Sequence, residues 1–444
     1  MEQPSKTSSL VVGVDDKIGV GKAFLLGMQH VLAMDLYIAP IIIAGILSLS
    51  KGDTAFFIQM CFLGTGIATL IQTGFGLKLP VVQGPSYVPI GAIGAIGGKL
   101  GLGAMTGALL PGALIIALLG VPLKWFAKSV RKFIPPLVGG TVIMIVGVSL
   151  MPVGMNNIYH SEGDLWTNVF IAAVSAGVLI LCMLLGNRGR RLGTLSRLVS
   201  VLVAIVAGTV VASLFGKVDF SPVAEAKLLS MPTFFPFGTP VFDWGAILTM
   251  VFIYFIILIE TTGTWFVVSS VTGKELTDDR LNRAAFGEGM GCFVGALFGG
   301  TPMTGYSSNA GLVAITGVGS RMAIMAGGVI LVMLGLFPKL STAITCIPEP
   351  VINGIFGVVC VAIFINGMKV VQFVELNERA MMIIGVPILL TMAVTVLPAG
   401  ALDTVPSFVS YLLSSGITIG ALSALILNLI IPNKAAANST QTRA

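Results

Sequence analysis

From Gly299 to Arg321 the sequence reads GGTPMTGYSSNAGLVAITGVGSR, inside a chain that is 55% apolar. Thr301, Pro302, Thr304, Gly305, Tyr306, Ser307, Ser308 and Asn309 supply too many breakers and hydroxyls for an unbroken membrane helix. In hydrocarbon every backbone N–H and C=O needs a partner, so irregular backbone survives only where protein buries it or where it lines a cavity. The stretch therefore predicts a site. A short helix starting near Asn309 would turn its unpaired N–H groups and positive dipole end into that cavity, where they suit a carbonyl or anionic oxygen.

The first half of the chain holds a second stretch of this kind. Leu79 to Gly98 reads LPVVQGPSYVPIGAIGAIGG, and Pro80, Gln83, Gly84, Pro85, Ser86 and Pro89 exclude a regular helix until about Val88. Two interrupted hydrophobic segments, one per half, point to a transporter binding site between crossing half-helices.

Only 10% of the 444 residues are charged and the mean hydropathy is +0.99, against a charged fraction of roughly 25% in soluble domains. The chain reads as an all-α polytopic membrane protein. About twenty polar residues precede the first long apolar run, so no cleavable signal peptide is expected. Cys61, Cys182, Cys292, Cys346 and Cys360 stand singly in apolar runs without a CxxC pair, as small packing residues and not as disulfides or metal ligands. The net charge of +6 sits in loops, which removes the nucleic-acid reading.

Hydropathy divides the sequence into fourteen segments, near 20–46, 55–76, 80–98, 104–126, 134–153, 167–187, 195–216, 243–271, 284–300, 301–317, 320–338, 349–368, 379–398 and 406–431. The third, tenth and ninth look short for ordinary spans. With both termini on one side, that side collects 20 of the 25 Lys and Arg residues, including Lys124, Lys128, Arg131 and Lys132 and the run Arg188, Arg190, Arg191 and Arg197. The asymmetry puts both termini in the cytoplasm. IPPLV at 134–138 resembles IPEPV at 347–351, and GVPLKWF after the fourth segment resembles GLFPKLS after the eleventh. Seven segments per half, an odd number, make the halves inverted repeats.

Three acids lie at membrane depth, Asp35, Glu260 and Glu288. Each costs several kcal/mol there without a partner, a cavity or a proton. Glu260 is the deepest, and an acid that can take up and release a proton there is what a proton-coupled carrier needs. A structural acid bonded to a neighbouring helix is the plain alternative, but Thr261, Thr262 and Thr264 on the same helix favour function. Asp35 could pair with His30, reach the site or cap a break before Pro40. Glu288 could form a structural salt bridge with Arg283. His30 is one of two histidines and reads equally as an interhelical donor. Tyr87, Tyr306 and Phe75 are candidates for stacking on a planar ligand.

No GxGxxG, HExxH, GKS/T or GxSxG stands in a suitable context, so an enzyme is not expected, nor a cofactor or a metal. A channel is the rival from another class, since broken helices also build pores. One deep acid beside a hydroxyl-rich break fits alternating access better.

These residues resemble the nucleobase-ascorbate transporter family, the nucleobase:cation symporters that include xanthine and uracil permeases. The family signature [Q/E/P]-N-x-G-x4-T-[R/K/G] is similar to Ser308-Asn309-Ala310-Gly311, four residues, then Thr316-Gly317, followed by a typical TGVGSR run. LGMQHVLAM at the start of segment one, QGPSY in segment three and Glu260 in segment eight also match. Four positions depart from the pattern. Ser308 replaces a Gln or Glu, Thr264 a His or Asp, Asp35 an aromatic, and Glu288 an Asp.

The resemblance implies a seven-plus-seven inverted-repeat fold with short strand-helix breaks in segments three and ten. It implies a core domain at 20–128 and 243–339, a gate domain at 129–242 and 340–432 that also dimerises, and cytoplasmic tails at 1–19 and 433–444. The expected function is proton symport of a nucleobase into the cell by an elevator-like movement in the inner membrane. A purine such as xanthine or urate is favoured over uracil, and protons over sodium. Glu260, Tyr87, Ser86, Thr264, Ser308 and Asn309 are the expected substrate residues. Glu260, Glu288, Asp35 and His30 are expected to serve proton coupling or support. The alternative on the same fold is a carrier of another small polar or anionic organic solute.

Overall fold

The computed structural model describes residues 10–186, 196, 199–372, 374–397, 405, 410, 413 and 415–432. The outer parts of both tails, the Arg188, Arg190, Arg191 and Arg197 run and most of the first half of segment fourteen lie outside the described residues. The regular elements of the described chain are helices except for two three-residue strands, β1 (Gln83–Pro85) and β2 (Met303–Gly305), and a bridge at Val12. The strands pair antiparallel, with Gln83 opposite Gly305, Gly84 opposite Thr304 and Pro85 opposite Met303. A short helix follows each strand, Ile90–Leu100 and Ser307–Thr316.

Among the described residues seven helices are long and apolar enough to cross a bilayer, or eight if the bent pair Arg321–Leu334 and Pro338–Thr345 counts as one span. The number falls below fourteen for physical reasons. Segments three and ten each hold a strand and a short helix. Segment nine, expected at 284–300, forms the 20-residue helix Asp278–Leu297, whose first turns carry Asp278, Asp279, Arg280 and Arg283. Segment eleven stops at Leu334, before Pro338, and the chain then turns by 81°.

Segment one corrects the expectation of a single span over 20–46. It divides into Val20–Leu32 and Ile38–Ile46, with Asp35 in the interruption. Pro40 cannot continue an earlier helix, and a short acidic side chain competes with helical hydrogen bonding. Segment four also stops early, at Gly120, and the next helix, Phe126–Phe133, is a separate piece.

The helices pack as two groups. One gathers Val20–Leu32, Lys51–Gly74, Leu102–Gly120, Trp244–Thr272, Asp278–Leu297 and Arg321–Leu334. The other gathers Pro136–His160, Leu165–Gly186, Ser200–Leu214, Glu349–Val371, Glu378–Thr395 and Gly416–Ile430. Without a hydrophobic force between helices in lipid, close backbone approach at small residues supplies the packing. A Cβ on Gly66 would fall 2.6 Å from both the Gly328 carbonyl oxygen and the Val332 nitrogen. Where the groups meet, Gly139 abuts Gly263 of the Glu260 helix, with a Cβ-to-Cα approach of 3.3 Å.

The segment before the first helix is docked. Val12 pairs in parallel with Val318: its N–H donates to Gly317 O (3.0 Å) and its carbonyl accepts from Gly319 N–H (2.8 Å). Asp15 bridges Arg321 (2.8 Å) and Lys274 (3.3 Å). Partial burial works against the Asp15 carboxylate, but Lys274 and Arg321 outweigh it and hold its pKa below the usual value. The contacts are therefore complete at neutral pH and are lost only as acid protonates Asp15.

Gly66→Val should destabilise the protein by about 1–3 kcal/mol or more through overpacking, whereas Gly177→Val, with nothing within 4 Å of the point its Cβ would occupy, should be neutral. Thermal denaturation of the two variants in detergent checks this.

Candidate functional site

The strands cross because their residues cannot be helical and their backbone groups find partners. Pro80, Pro85, Pro89 and Pro302 remove donors and disfavour the helical region at the residues before them. The remaining groups are satisfied across the crossing and by surrounding helices. Ser86 N–H donates to Pro302 O (2.8 Å) and Tyr306 N–H to Val82 O (3.0 Å). Thr69 Oγ1 accepts from Gln83 N–H (3.0 Å), Thr261 Oγ1 from Gly305 N–H (3.0 Å) and Cys292 Sγ from Met303 N–H (3.2 Å). Gly84 is required here, since a Cβ would fall 2.6 Å from the Tyr306 ring.

Glu260 lies beside this crossing, 8% exposed, and its Oε2 accepts from Ser86 Oγ (3.1 Å). Thr304 Oγ1 is buried beside the same carboxylate, close enough to act on it as a second hydroxyl donor. The adjacent residue, Tyr87, donates its hydroxyl to Asp35 Oδ2 (2.5 Å) and stacks on Tyr306 with ring centroids 6.5 Å apart. Tyr306 Oη donates to Pro85 O (3.0 Å), and Phe356 from the second helix group lies 5.8 Å from the Tyr87 ring. Thr264 is buried, its methyl 3.5 Å from where a Gly305 Cβ would stand. Ser308 is exposed at the start of its short helix, its hydroxyl 3.4 Å from Met34 Sδ.

His30 and Asn309 form a separate buried pair. Asn309 Nδ2 donates to Pro80 O (2.7 Å), which leaves Oδ1 to accept from His30 Nδ1–H (2.7 Å) and so assigns the histidine tautomer. Asn309 thus ties segment one to both crossing stretches, and His30 does not pair with Asp35.

Glu288 lies within electrostatic reach of Glu260, and Gln72 holds it. Gln72 Nε2 donates to its Oε2 (2.9 Å) and to Ala284 O (3.1 Å), while Gln72 Oε1 accepts from Leu77 N–H (3.3 Å). Arg283 pairs instead with Asp279 (2.9 Å), so the Arg283–Glu288 salt bridge does not form. Glu288 also neighbours Thr261 and the Gln83 amide, but neither makes a well-formed hydrogen bond to its Oε1. Phe75 departs from the stacking expectation, being 75% exposed beyond the end of its helix.

Sequence reading missed the roles of Gln72, Gln83 and Thr304. Gln72, in IQTGF of segment two, carries a signal of its own: an amide within an apolar run needs partners as an acid does. Two apolar cavities of about 420 and 450 Å³ lie on other helices, around Trp166 and Met381, and supply nothing to this centre.

The Permease family (Xan_ur_permease) profile matches residues 21–400. The chain belongs to the xanthine/uracil permease family. Its relatives include the uric acid permease PucK of Bacillus subtilis, 34% identical over 92% of this chain and 95% of that protein. The xanthine permease of the same organism is 32% identical over 93% and 94%, and the xanthine permease XanP of Escherichia coli 30% over 96% of both. Members of this family are transporters, and this one is a multi-pass membrane transporter and not an enzyme. The fold is that of the transmembrane domain of the cyanobacterial bicarbonate transporter BicA, with a TM-score of 0.62 at 16% identity over 86% of this chain and 98% of that one. Murine Solute Carrier 26 family member A9 gives 0.62 at 12% identity, over 94% of this chain and 69% of that one.

Asn309→Ala should orphan both His30 Nδ1 and the Pro80 carbonyl, costing about 1–3 kcal/mol for each buried group left unpaired. A fall in melting temperature larger than that of Ser308→Ala, whose hydroxyl is exposed, is the expected result.

Proposed function

We propose that the chain imports a purine base by proton symport, through an elevator-like movement of one helix group against the other. The observation that carries this is Glu260, a deep carboxylate bonded to Ser86 where the two strands cross. Two neighbouring N–H groups of a neutral planar base can donate to Glu260, its rings can lie against the Tyr87 and Tyr306 pair, and its carbonyls can accept backbone N–H groups at the starts of the short helices. Ser308 and Asn309 open one of those helices, and Thr264 shapes the wall. A proton entering with the base neutralises Glu260 for the crossing, and Glu288, within electrostatic reach of Glu260, is the second acid of the relay.

The reading extends to fourteen spans as inverted repeats, with 20–128 and 243–339 as the moving core and 129–242 and 340–432 as the gate. A homodimer in the inner membrane with cytoplasmic termini completes it. The antiparallel meeting of β1 and β2, one from each half, supports the inverted repeat, as does the packing of the two IP-led helices, with Gly140 against Gly367. Relatives named as uric acid and xanthine permeases support a purine over uracil.

Uptake of labelled bases in a strain without its own base carriers tests this. Accumulation should exceed the external concentration, rise as external pH falls and collapse with a protonophore. Glu260→Gln should abolish accumulation and its pH dependence. Normal rate and normal pH dependence in Glu260→Gln would remove the coupling role, and equilibration without accumulation in the wild type would indicate a channel.

A further inference from the structure

The interruption of segment one brings a second acid to the crossing. Ser86 faces Glu260 and the next residue, Tyr87, faces Asp35, so one dipeptide holds a carboxylate on either side. Tyr306, stacked on Tyr87, lies within electrostatic reach of both acids. Among the described residues neither acid has a Lys or Arg partner, and the ion pairs formed by Asp15 and Asp279 involve other acids. Tyr87 occupies one Asp35 oxygen, and among the described residues the other donor acting on this carboxylate is Asp35's own backbone. Thr304, 2% exposed, puts a second hydroxyl beside Glu260, so hydroxyl groups and, among the described residues, no cation face that acid.

We infer that Asp35 is a specificity-determining residue of this site, and that the site selects an uncharged purine carrying an amino group, such as guanine, over an anionic one such as urate. This rests on the nucleobase reading above. Guanine presents N–H donors at its pyrimidine edge, including an exocyclic amine, and at its imidazole edge, so two separated carboxylates can each receive a charge-assisted hydrogen bond. Urate is an anion at neutral pH. With Glu260 neutralised by the entering proton it still faces Asp35, which has no Lys or Arg partner among the described residues, in a low-dielectric site where like charges repel strongly. Xanthine, uncharged but without the amine, falls between them. Leaving a buried acceptor unpaired is the source of the discrimination.

Competition against labelled guanine and xanthine uptake, with guanine, xanthine and urate as competitors, tests the assignment on wild type, Asp35→Asn and Asp35→Glu. Wild type should prefer guanine to urate by tenfold or more. Asp35→Asn should raise the KM for guanine about tenfold more than the KM for xanthine and admit urate better. Asp35→Glu should restore most of the guanine preference. A second measurement on the purified wild type, thermal stabilisation by each base, should follow the order guanine, xanthine, urate and needs no variant to fold. A guanine-to-urate ratio that is unchanged in Asp35→Asn, or a wild type that favours urate in both assays, overturns the role of Asp35 while leaving a nucleobase carrier. If no nucleobase is transported or stabilises the wild type, the underlying reading fails and this inference with it.

Discussion

Peptide groups in hydrocarbon must all be paired, and the rest of the structure follows from how this chain pairs those it cannot put into helices. The prolines and glycines of the two crossing stretches abolish the ordinary solution. The replacement is a pair of three-residue strands hydrogen-bonded to each other and to Thr69, Thr261 and Cys292. Those three side chains come from three different helices, so the crossing fixes the mutual position of segments two, eight and nine. The same fixing brings Glu260 against Ser86. Backbone satisfaction and site assembly are one event.

The polar side chains around the crossing divide by task. Asn309, His30 and Gln72 have their hydrogen bonds met within the protein and act as ties between segments. The Gln83 amide and one oxygen of Glu288 lack a well-formed hydrogen bond, and each such group at this depth costs free energy that folding alone does not return. That residual demand is what a passenger or a proton can meet. A fully satisfied network would be more stable and would have less reason to bind anything.

Much of this was legible in the sequence. Proline and glycine placement marked both interruptions, because φ restriction and the missing N–H act locally and do not depend on the rest of the fold. The isolated acids stood out because their cost at depth is large wherever they sit. Pairings were harder, since Asp35 with Tyr87 and His30 with Asn309 join residues 52 and 279 apart in the chain. His30 and Asp35 are neighbours on a continuous helix, but the break at Asp35 turns them to different partners. Glu288 reads as a partner for Arg283 on spacing alone, yet Arg283 lies on an exposed face of its helix and pairs with Asp279 four residues before it. Gln72 escaped notice because amides are less conspicuous than acids in an apolar run.

The docked segment around Val12 and Asp15 bears on how the molecule is made. Their partners Gly317, Gly319 and Arg321 are synthesised some three hundred residues after them. Contacts of such sequence separation form slowly, because a long loop must close before they return anything. Val12 and Asp15 thus wait for these partners until the second crossing stretch has been made, and the parallel bridge is a seal set after both strands exist.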